Sequence, residues 1–367
     1  MLAILLFAKK DNHAANVVMA VGMLALSIDI FHSAYIAFNY YESFPHFIGI
    51  TFAFPFLYGP IFYLYAKLVS SVDNSFKSKY CLHFIPFLLV VIYGMIFVYF
   101  KSGDFKIALA KGKLATPIPF LKFIGYLKPV HGIIYVLLTI RVVRDFNSKI
   151  KNSFSSIEQI NLKWLMHLTI GLSFVWGVVV LSFVVNFVST KEIHMDQFIY
   201  LAASVLIYSI GYFGLRQPQI FSPVIQKSSG IKVMGSTEHT EKSIGYQKSG
   251  LSEEEAIDHQ KKLIELMDRD KPYLNNELTL RDLADKLSMS THNLSEILNM
   301  RIRQNFYDFI NNYRVEEVKK RLAQGESEKY SLIAIAFDSG FNSKTAFNTI
   351  FKKLTGVTPS QYRKQLN

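Results

Sequence analysis

The sequence has little cysteine and little charge. Cys81 is the only cysteine in 367 residues, which excludes an intrachain disulfide and a cysteine-based metal cluster. Charged residues make up only 19% of the chain, whereas 50% is hydrophobic and the mean hydropathy is +0.22. A phosphate-binding glycine loop, a histidine-kinase pattern and zinc-ligand spacing are also lacking. We therefore predict a largely apolar protein that is not an enzyme and binds neither a metal nor a cofactor.

Six segments within residues 1–217 are long and apolar enough to cross a bilayer of roughly 30 Å. In lipid only a helix satisfies the hydrogen bonds of its own backbone. We therefore predict an all-α, polytopic transmembrane bundle over residues 1–217, with lipid as its surroundings. The predicted spans are residues 14–37, 48–68, 83–100, 120–140, 164–188 and 198–215.

The apolar stretch at residues 1–8 precedes Lys9 and Lys10. A secretory signal carries its positive charge before the apolar stretch, so this segment does not fit that pattern. We expect a short apolar stub, which leaves two counts open: six spans, or seven with the first one truncated.

Lysine and arginine in the connecting segments set the orientation. They cluster at residues 9–10, 77–79, 141–163 and 216, which predicts a cytoplasmic side there and a cytoplasmic C-terminus. Four lysines at residues 101–113 fall on the opposite side and are an exception. The expected location is the bacterial inner membrane.

Four ionisable residues lie inside the predicted spans, where burial of charge is costly. Asp29 and His32 share one helix face, and Lys128 and His131 repeat that spacing on another span. They are candidates for an intramembrane ligand or signal site. The alternatives are a structural ion pair between helices or a Lys128 side chain that reaches toward the interface.

Residues 218–250 are rich in Ser, Gly, Lys and Thr, which predicts a flexible linker. An ordered domain is expected over residues 251–367. Ser252 and Glu255 have the spacing of a capping box at the start of its first helix.

A helix-turn-helix pattern occurs twice in this domain, at about residues 280–299 and 331–353. In the first unit, Ser288 is at the turn and Ser290 is a candidate N-cap. In the second unit, Gly340 is at the turn and Ser343 is the candidate cap. A lone pattern of this kind is weak, but two turn positions 52 residues apart are much more specific.

The second unit and its flanks carry a family resemblance. Residues 331–363 read SLIAIAFDSGFNSKTAFNTIFKKLTGVTPSQYR, which resembles the DNA-binding domain of the AraC/XylS regulators. The stretch at residues 306–317 resembles the family's bridging helix. Residues 58–60 (YGP), 83–87 (HFIPF) and 215–218 (LRQP) are similar to the membrane-anchored bacterial members.

The resemblance implies that double-stranded DNA is the partner and that each second helix enters a major groove. The implied base contacts are His292, Asn293, Ser295, Glu296, Lys344, Thr345, Asn348 and Thr349. The implied phosphate contacts are Arg303, Arg314, Lys352, Lys353 and Arg363. Ser288 and Arg303 stand where glycine is usual, so we expect some backbone strain at both.

These observations predict a membrane-bound, sequence-specific transcription regulator that senses an unidentified small molecule or membrane signal. Residues 276–367 carry 14 basic and 10 acidic side chains, a net charge of +4. This charge is modest for a DNA-binding domain, so we expect weak binding by a monomer and a role for homodimerisation. The alternative is a membrane receptor whose C-terminal domain binds a protein partner.

Overall fold

The computed structural model describes residues 1–10, 12–71, 75–114, 116–158, 160–188, 196–216 and 252–366. Within these ranges the regular secondary structure is helical, and the only strand-like pairing is an isolated antiparallel bridge between Phe154 and Thr279. The predicted all-α fold class is confirmed.

The helices are numbered in chain order. The N-terminal ones are α1 (Leu2–Ala8), α2 (His13–Ala37), α3 (Pro55–Val69), α4 (Ile85–Gly94), α5 (Gly103–Ala110), α6 (Leu121–Ser153), α7 (Lys163–Val188) and α8 (Asp196–Arg216). The C-terminal ones are α9 (Glu253–Asp270), α10 (Leu280–Lys286), α11 (Thr291–Glu296), α12 (Phe306–Ala323), α13 (Leu332–Asp338), α14 (Lys344–Thr355) and α15 (Pro359–Leu366).

The chain divides into two compact units. The first comprises Met1–Asp145 and Leu162–Gln219, and the second comprises Phe146–Asn161 and Ile220–Asn367. Most of the segment that joins α6 to α7 thus packs with the C-terminal helices. The predicted linker at residues 218–250 lies outside the described residues.

Four helical segments of the described chain are long and apolar enough to cross a membrane: His13–Ala37, Ser78–Tyr99, Leu121–Ser153 and Lys163–Asn186. Gln197–Phe213 is apolar but shorter. In the predicted span 48–68, the helix begins only at Pro55, because the preceding residues form turns around Gly49 at φ 83°. The six-span count, and the seventh span with it, stay predictions.

The C-terminal helices form two cores that share α12. Its first half contributes Phe306 and Phe309 to a core with α9, α10 and α11. Its second half contributes Val318 and Leu322 to a core with α13 and α14. One continuous helix therefore belongs to both cores. The part of the domain around the core with α9, α10 and α11 is called the first lobe, and the part around the core with α13 and α14 is called the second lobe. The predicted capping box at Ser252 is also present, so α9 begins where expected.

Glu317 anchors α12 to the residues that follow α9. Its side chain is almost fully buried and accepts hydrogen bonds from Lys271 Nζ at 3.1 Å and Tyr273 Oη at 3.2 Å. Arg321 Nε donates to it at 3.4 Å. Burial opposes ionisation, but these donors outweigh it and lower the pKa of Glu317.

Glu317→Gln is expected to reduce the stability of the C-terminal unit by about 1–3 kcal/mol at pH 7, because three donors, among them the buried Tyr273 hydroxyl, lose a charged acceptor. A carboxyl with a lowered pKa in the folded state stabilises above its unfolded pKa, about 4.3, and this contribution is lost as pH falls through the folded pKa. The difference between the variant and the wild type should therefore shrink below about pH 4. Hydrogen exchange of the α12 amides in the full chain measures it.

Glu316→Gln is the matched control. Its side chain is 68% exposed and pairs with Lys319 on the surface, so we expect a change within about 0.5 kcal/mol. Equal losses in both variants would contradict the role assigned to Glu317.

Candidate DNA-binding interface and a cavity among the apolar helices

The first helix-turn-helix unit consists of α10 and α11. The N–H of Met289 donates to the Ala284 carbonyl at 3.0 Å, and Ser288 adopts φ 53°. The Ser290 hydroxyl accepts from the N–H of Asn293, which confirms the predicted cap. The expected left-handed backbone at Ser288 is thus present in a non-glycine residue, at a cost of about 1 kcal/mol.

The second helix-turn-helix unit, α13 and α14, repeats this geometry. The N–H of Phe341 donates to the Ala336 carbonyl at 3.1 Å, and Gly340 adopts φ 93°. The Ser343 hydroxyl accepts from Ala346 N–H and caps α14 as predicted. Both turns thus place a second helix with one buried face and one open face.

The predicted base-contacting residues lie on the open faces of α11 and α14. On α14 all four are exposed: Lys344, Thr345, Asn348 and Thr349. On α11, His292 is exposed, and three are half-buried: Asn293, Ser295 and Glu296. The structure therefore leaves polar side chains open on both helices, more fully on the second.

The predicted phosphate contacts are less uniform. Arg303 is exposed and has φ 60°, which confirms the expected left-handed backbone there. Lys352 is exposed, and Arg363 is half-buried. Lys353 is exposed but donates to Asp308 of α12 at 2.9 Å. Four of the five cations thus retain some access to solvent.

The prediction of a phosphate contact at Arg314 is corrected by the structure. Its side chain is 1% exposed, and each of its five N–H groups has an acceptor within the protein. Burial lowers the pKa of this guanidinium to about 10. A residue enclosed in this way has no N–H left for DNA, and its role is structural.

Three of the four predicted intramembrane site residues line one cavity of about 910 Å³ in the first compact unit, among the N-terminal helices. Tyr58 Oη donates to Asp29 at 2.7 Å, and His32 Nδ1 lies 3.2 Å from the Thr51 hydroxyl. The Lys128 ammonium lies over the Phe52 ring, 3.9 Å from its centroid. Asp29 and Lys128 thus face a shared space, and Tyr58 is a lining residue that the spacing pattern missed.

His131, the fourth candidate, does not line this cavity. Its ring packs against Phe56 and Tyr135, with centroids 5.1 and 4.8 Å away. Neither ring nitrogen has a hydrogen-bond partner within the described part of the chain. The i, i+3 spacing with Lys128 therefore does not bring the two residues to one site.

The paired turns, the bridging helix and the two open helix faces define a double helix-turn-helix DNA-binding domain. Residues 283–365 match the protein family described as "Helix-turn-helix domain". The C-terminal domain is therefore an AraC-type helix-turn-helix domain.

Two kinds of curated relative match this domain. A putative AraC-like transcription regulator of Streptomyces lividans is 29% identical over 86 residues, which are 23% of this chain and 27% of the relative. An uncharacterized HTH-type transcriptional regulator of Staphylococcus aureus (strain COL) is 30% identical over 91 residues, 25% of this chain and 12% of the relative. The chain thus spans about a quarter or less of these relatives. No solved structure gives a significant match.

Gly340→Ala is expected to destabilise the second lobe severely, by about 3 kcal/mol or more. A Cβ there would lie 2.2 Å from the Tyr273 carbonyl oxygen and 2.9 Å from Arg314 Nε. Gly325→Ala is the matched control, because Gly325 also has a positive φ of 79° but open space around it. We expect it to cost only about 1 kcal/mol. Hydrogen exchange across α13 and α14 measures both, and equal losses would contradict the steric explanation.

Proposed function

We propose that this protein is a membrane-anchored, sequence-specific DNA-binding transcription regulator. One observation carries the proposal: a single chain combines four apolar helices of spanning length with two helix-turn-helix units whose polar faces are open. The first feature suits a bilayer and the second suits a duplex, and the family match supports the DNA-binding half.

On this proposal α11 and α14 enter two major grooves about 34 Å apart on one face of the duplex. Asn348 suits a bidentate contact to adenine, Lys344 suits guanine, and Glu296 suits the amino group of cytosine. The remaining base-contact candidates are His292, Asn293, Ser295, Thr345 and Thr349.

Phosphate contacts are assigned to Arg303, Lys352, Lys353 and Arg363. For Lys353 the contact requires exchange of its ion pair with Asp308, and such an exposed pair contributes little. With a net charge of +4 over residues 276–367, a single domain attracts DNA weakly. A homodimer or a high density in the membrane plane would raise the effective concentration of domains.

The proposed location is the bacterial inner membrane, with the C-terminal domain in the cytoplasm. Basic residues in the predicted inner loops support this orientation. It is also the orientation in which a DNA-binding domain reaches the chromosome.

We further infer that the cavity among the N-terminal helices, in the first compact unit, receives a signal molecule. Its walls are mostly apolar, and they carry one acidic and one basic side chain, Asp29 and Lys128. Such a lining suits an amphipathic small molecule whose anionic group faces the Lys128 ammonium. Burial of a charged pair among apolar helices costs free energy, and ionisable residues in such positions usually belong to a functional site.

Asn348→Ala tests the DNA-binding proposal on duplexes recovered by mapping the full chain's binding sites in its native cell. Loss of a bidentate base contact is expected to weaken binding by about 1–3 kcal/mol, roughly 5- to 150-fold. Lys352→Ala is expected to weaken all duplexes alike and to reduce the slope against log salt by about 1.

Asn276→Ala is the control, since this asparagine is exposed and belongs to neither recognition helix. Binding that ignores sequence, or equal effects of Asn348→Ala and Asn276→Ala, would favour a protein partner for the domain instead.

Lys128→Met tests the sensor proposal in cells that carry a reporter for a mapped target gene. Loss of the cavity's cation is expected to change reporter output several-fold, because the anionic group of the signal loses its partner. Lys122→Met is the matched control, an exposed lysine on the same helix. Unchanged output from a normally inserted Lys128→Met protein would count against the cavity as the sensor.

A further inference from the structure

The segment Phe146–Asn161 comprises the last turns of α6 and most of the connection to α7, and it packs with the DNA-binding helices in the second compact unit. Ser155 is the most enclosed of the segment's described residues, with 1% exposure. The N–H and the hydroxyl of Ser155 both donate to the Leu278 carbonyl, at 3.2 and 2.6 Å. The neighbouring Phe154 pairs with Thr279. A connection between two apolar helices is thus built into the DNA-binding domain.

Arg314 is the residue that receives this segment. Its Nη1 donates to the Ser155 carbonyl at 3.0 Å, and its Nη2 donates to the Ser155 hydroxyl at 3.1 Å. Asn311 Nδ2 donates to the same carbonyl at 3.3 Å. Donors left unpaired in a buried position would be costly, especially on a charged group. The bridging helix, α12, therefore carries buried donors on Arg314 and Asn311 whose acceptors are the carbonyl and hydroxyl oxygens of Ser155.

The docked segment reaches toward both recognition helices. Ser153 lines a depression of about 320 Å³ together with His292, Ser295 and Glu296 of α11. Three residues further along, the Ser156 hydroxyl accepts a hydrogen bond from Asn342. Asn342 directly precedes the cap of α14. The segment thus extends from the base-contacting face of the first recognition helix to the N-terminus of the second.

We propose that this segment and the DNA duplex compete for the same face of the domain, so that docking holds the protein in a state that binds DNA weakly. The inference rests on the proposed function. A recognition helix in a major groove about 12 Å wide has phosphate backbone on both sides. Ser153 lies beside His292 and Glu296, on the face of α11 that the duplex would contact.

Chain connectivity links this competition to the cavity of the first compact unit. The docked segment is covalently continuous with α6, which carries Lys128, and with α7. A ligand that favours a different arrangement of these helices would thereby change the fraction of docked segment. Along α6, Ser153 follows the cavity residue Lys128 in the same continuous helix, and Ser153 lies beside the first recognition helix.

A reversible cross-link tests the competition in the full chain held in lipid nanodiscs. Ser156→Cys and Asn342→Cys are introduced together with Cys81→Ser and joined by a cross-linker that carries two thiol-reactive groups and is cleaved by a reductant. The probes are the duplexes mapped in the native cell. We expect the cross-linked protein to bind at least tenfold more weakly than the same sample after reduction, and each single-cysteine variant to be unaffected by the reagent.

Ser155→Ala provides a second measurement that requires no cross-link. It removes the hydroxyl bonds to Leu278 and Arg314, and we expect the full chain to bind DNA several-fold more tightly. Ser148→Ala, an exposed serine of α6, is the control and should leave affinity unchanged.

A cross-link that forms without weakening DNA binding would overturn the competition, as would failure of the two cysteines to cross-link. Failure of both the cross-linked and the reduced protein to bind any mapped duplex would overturn the proposed function, and this inference with it.

Discussion

The buried guanidinium of Arg314 is the constraint on which the arrangement of the DNA-binding unit depends. A guanidinium out of contact with water needs an acceptor for each of its five N–H groups. Two of these acceptors are the carbonyls of Tyr273 and Asn275, which lie between α9 and α10. Others come from Ser155 and from Asn311 of the bridging helix itself. One side chain thus ties three parts of the chain together.

This junction positions the two recognition helices. The turn at Gly340 lies directly against Tyr273 and Arg314, with no room for a Cβ. The second lobe is thereby held against the loop that follows α9, while α12 runs continuously through both cores. Because two helices must meet two grooves at once, such rigidity limits the number of orientations that DNA has to select. The segment around Ser155 completes the junction, and it is also the part that stands in the way of a duplex.

Features governed by local chain chemistry could be predicted from the sequence. The caps at Ser252 and Ser343, and the two turns 52 residues apart, depend on neighbours a few positions away. The burial of Arg314 could not be predicted, because its acceptor Ser155 is 159 positions distant. The same holds for Tyr58 beside Asp29: helical spacing identifies the polar face of one helix, but not the helix that meets it.

In the proposed arrangement, one chain places a DNA-binding domain on the cytoplasmic face of a membrane. Binding of a labelled duplex, drawn from the mapped sites, to sealed vesicles that contain the full chain tests this most directly. We expect salt-dependent, sequence-specific binding to inside-out vesicles and none to right-side-out vesicles, with the protein retained in the membrane after alkaline extraction. Equal binding in both orientations, or release of the protein by extraction, would contradict it.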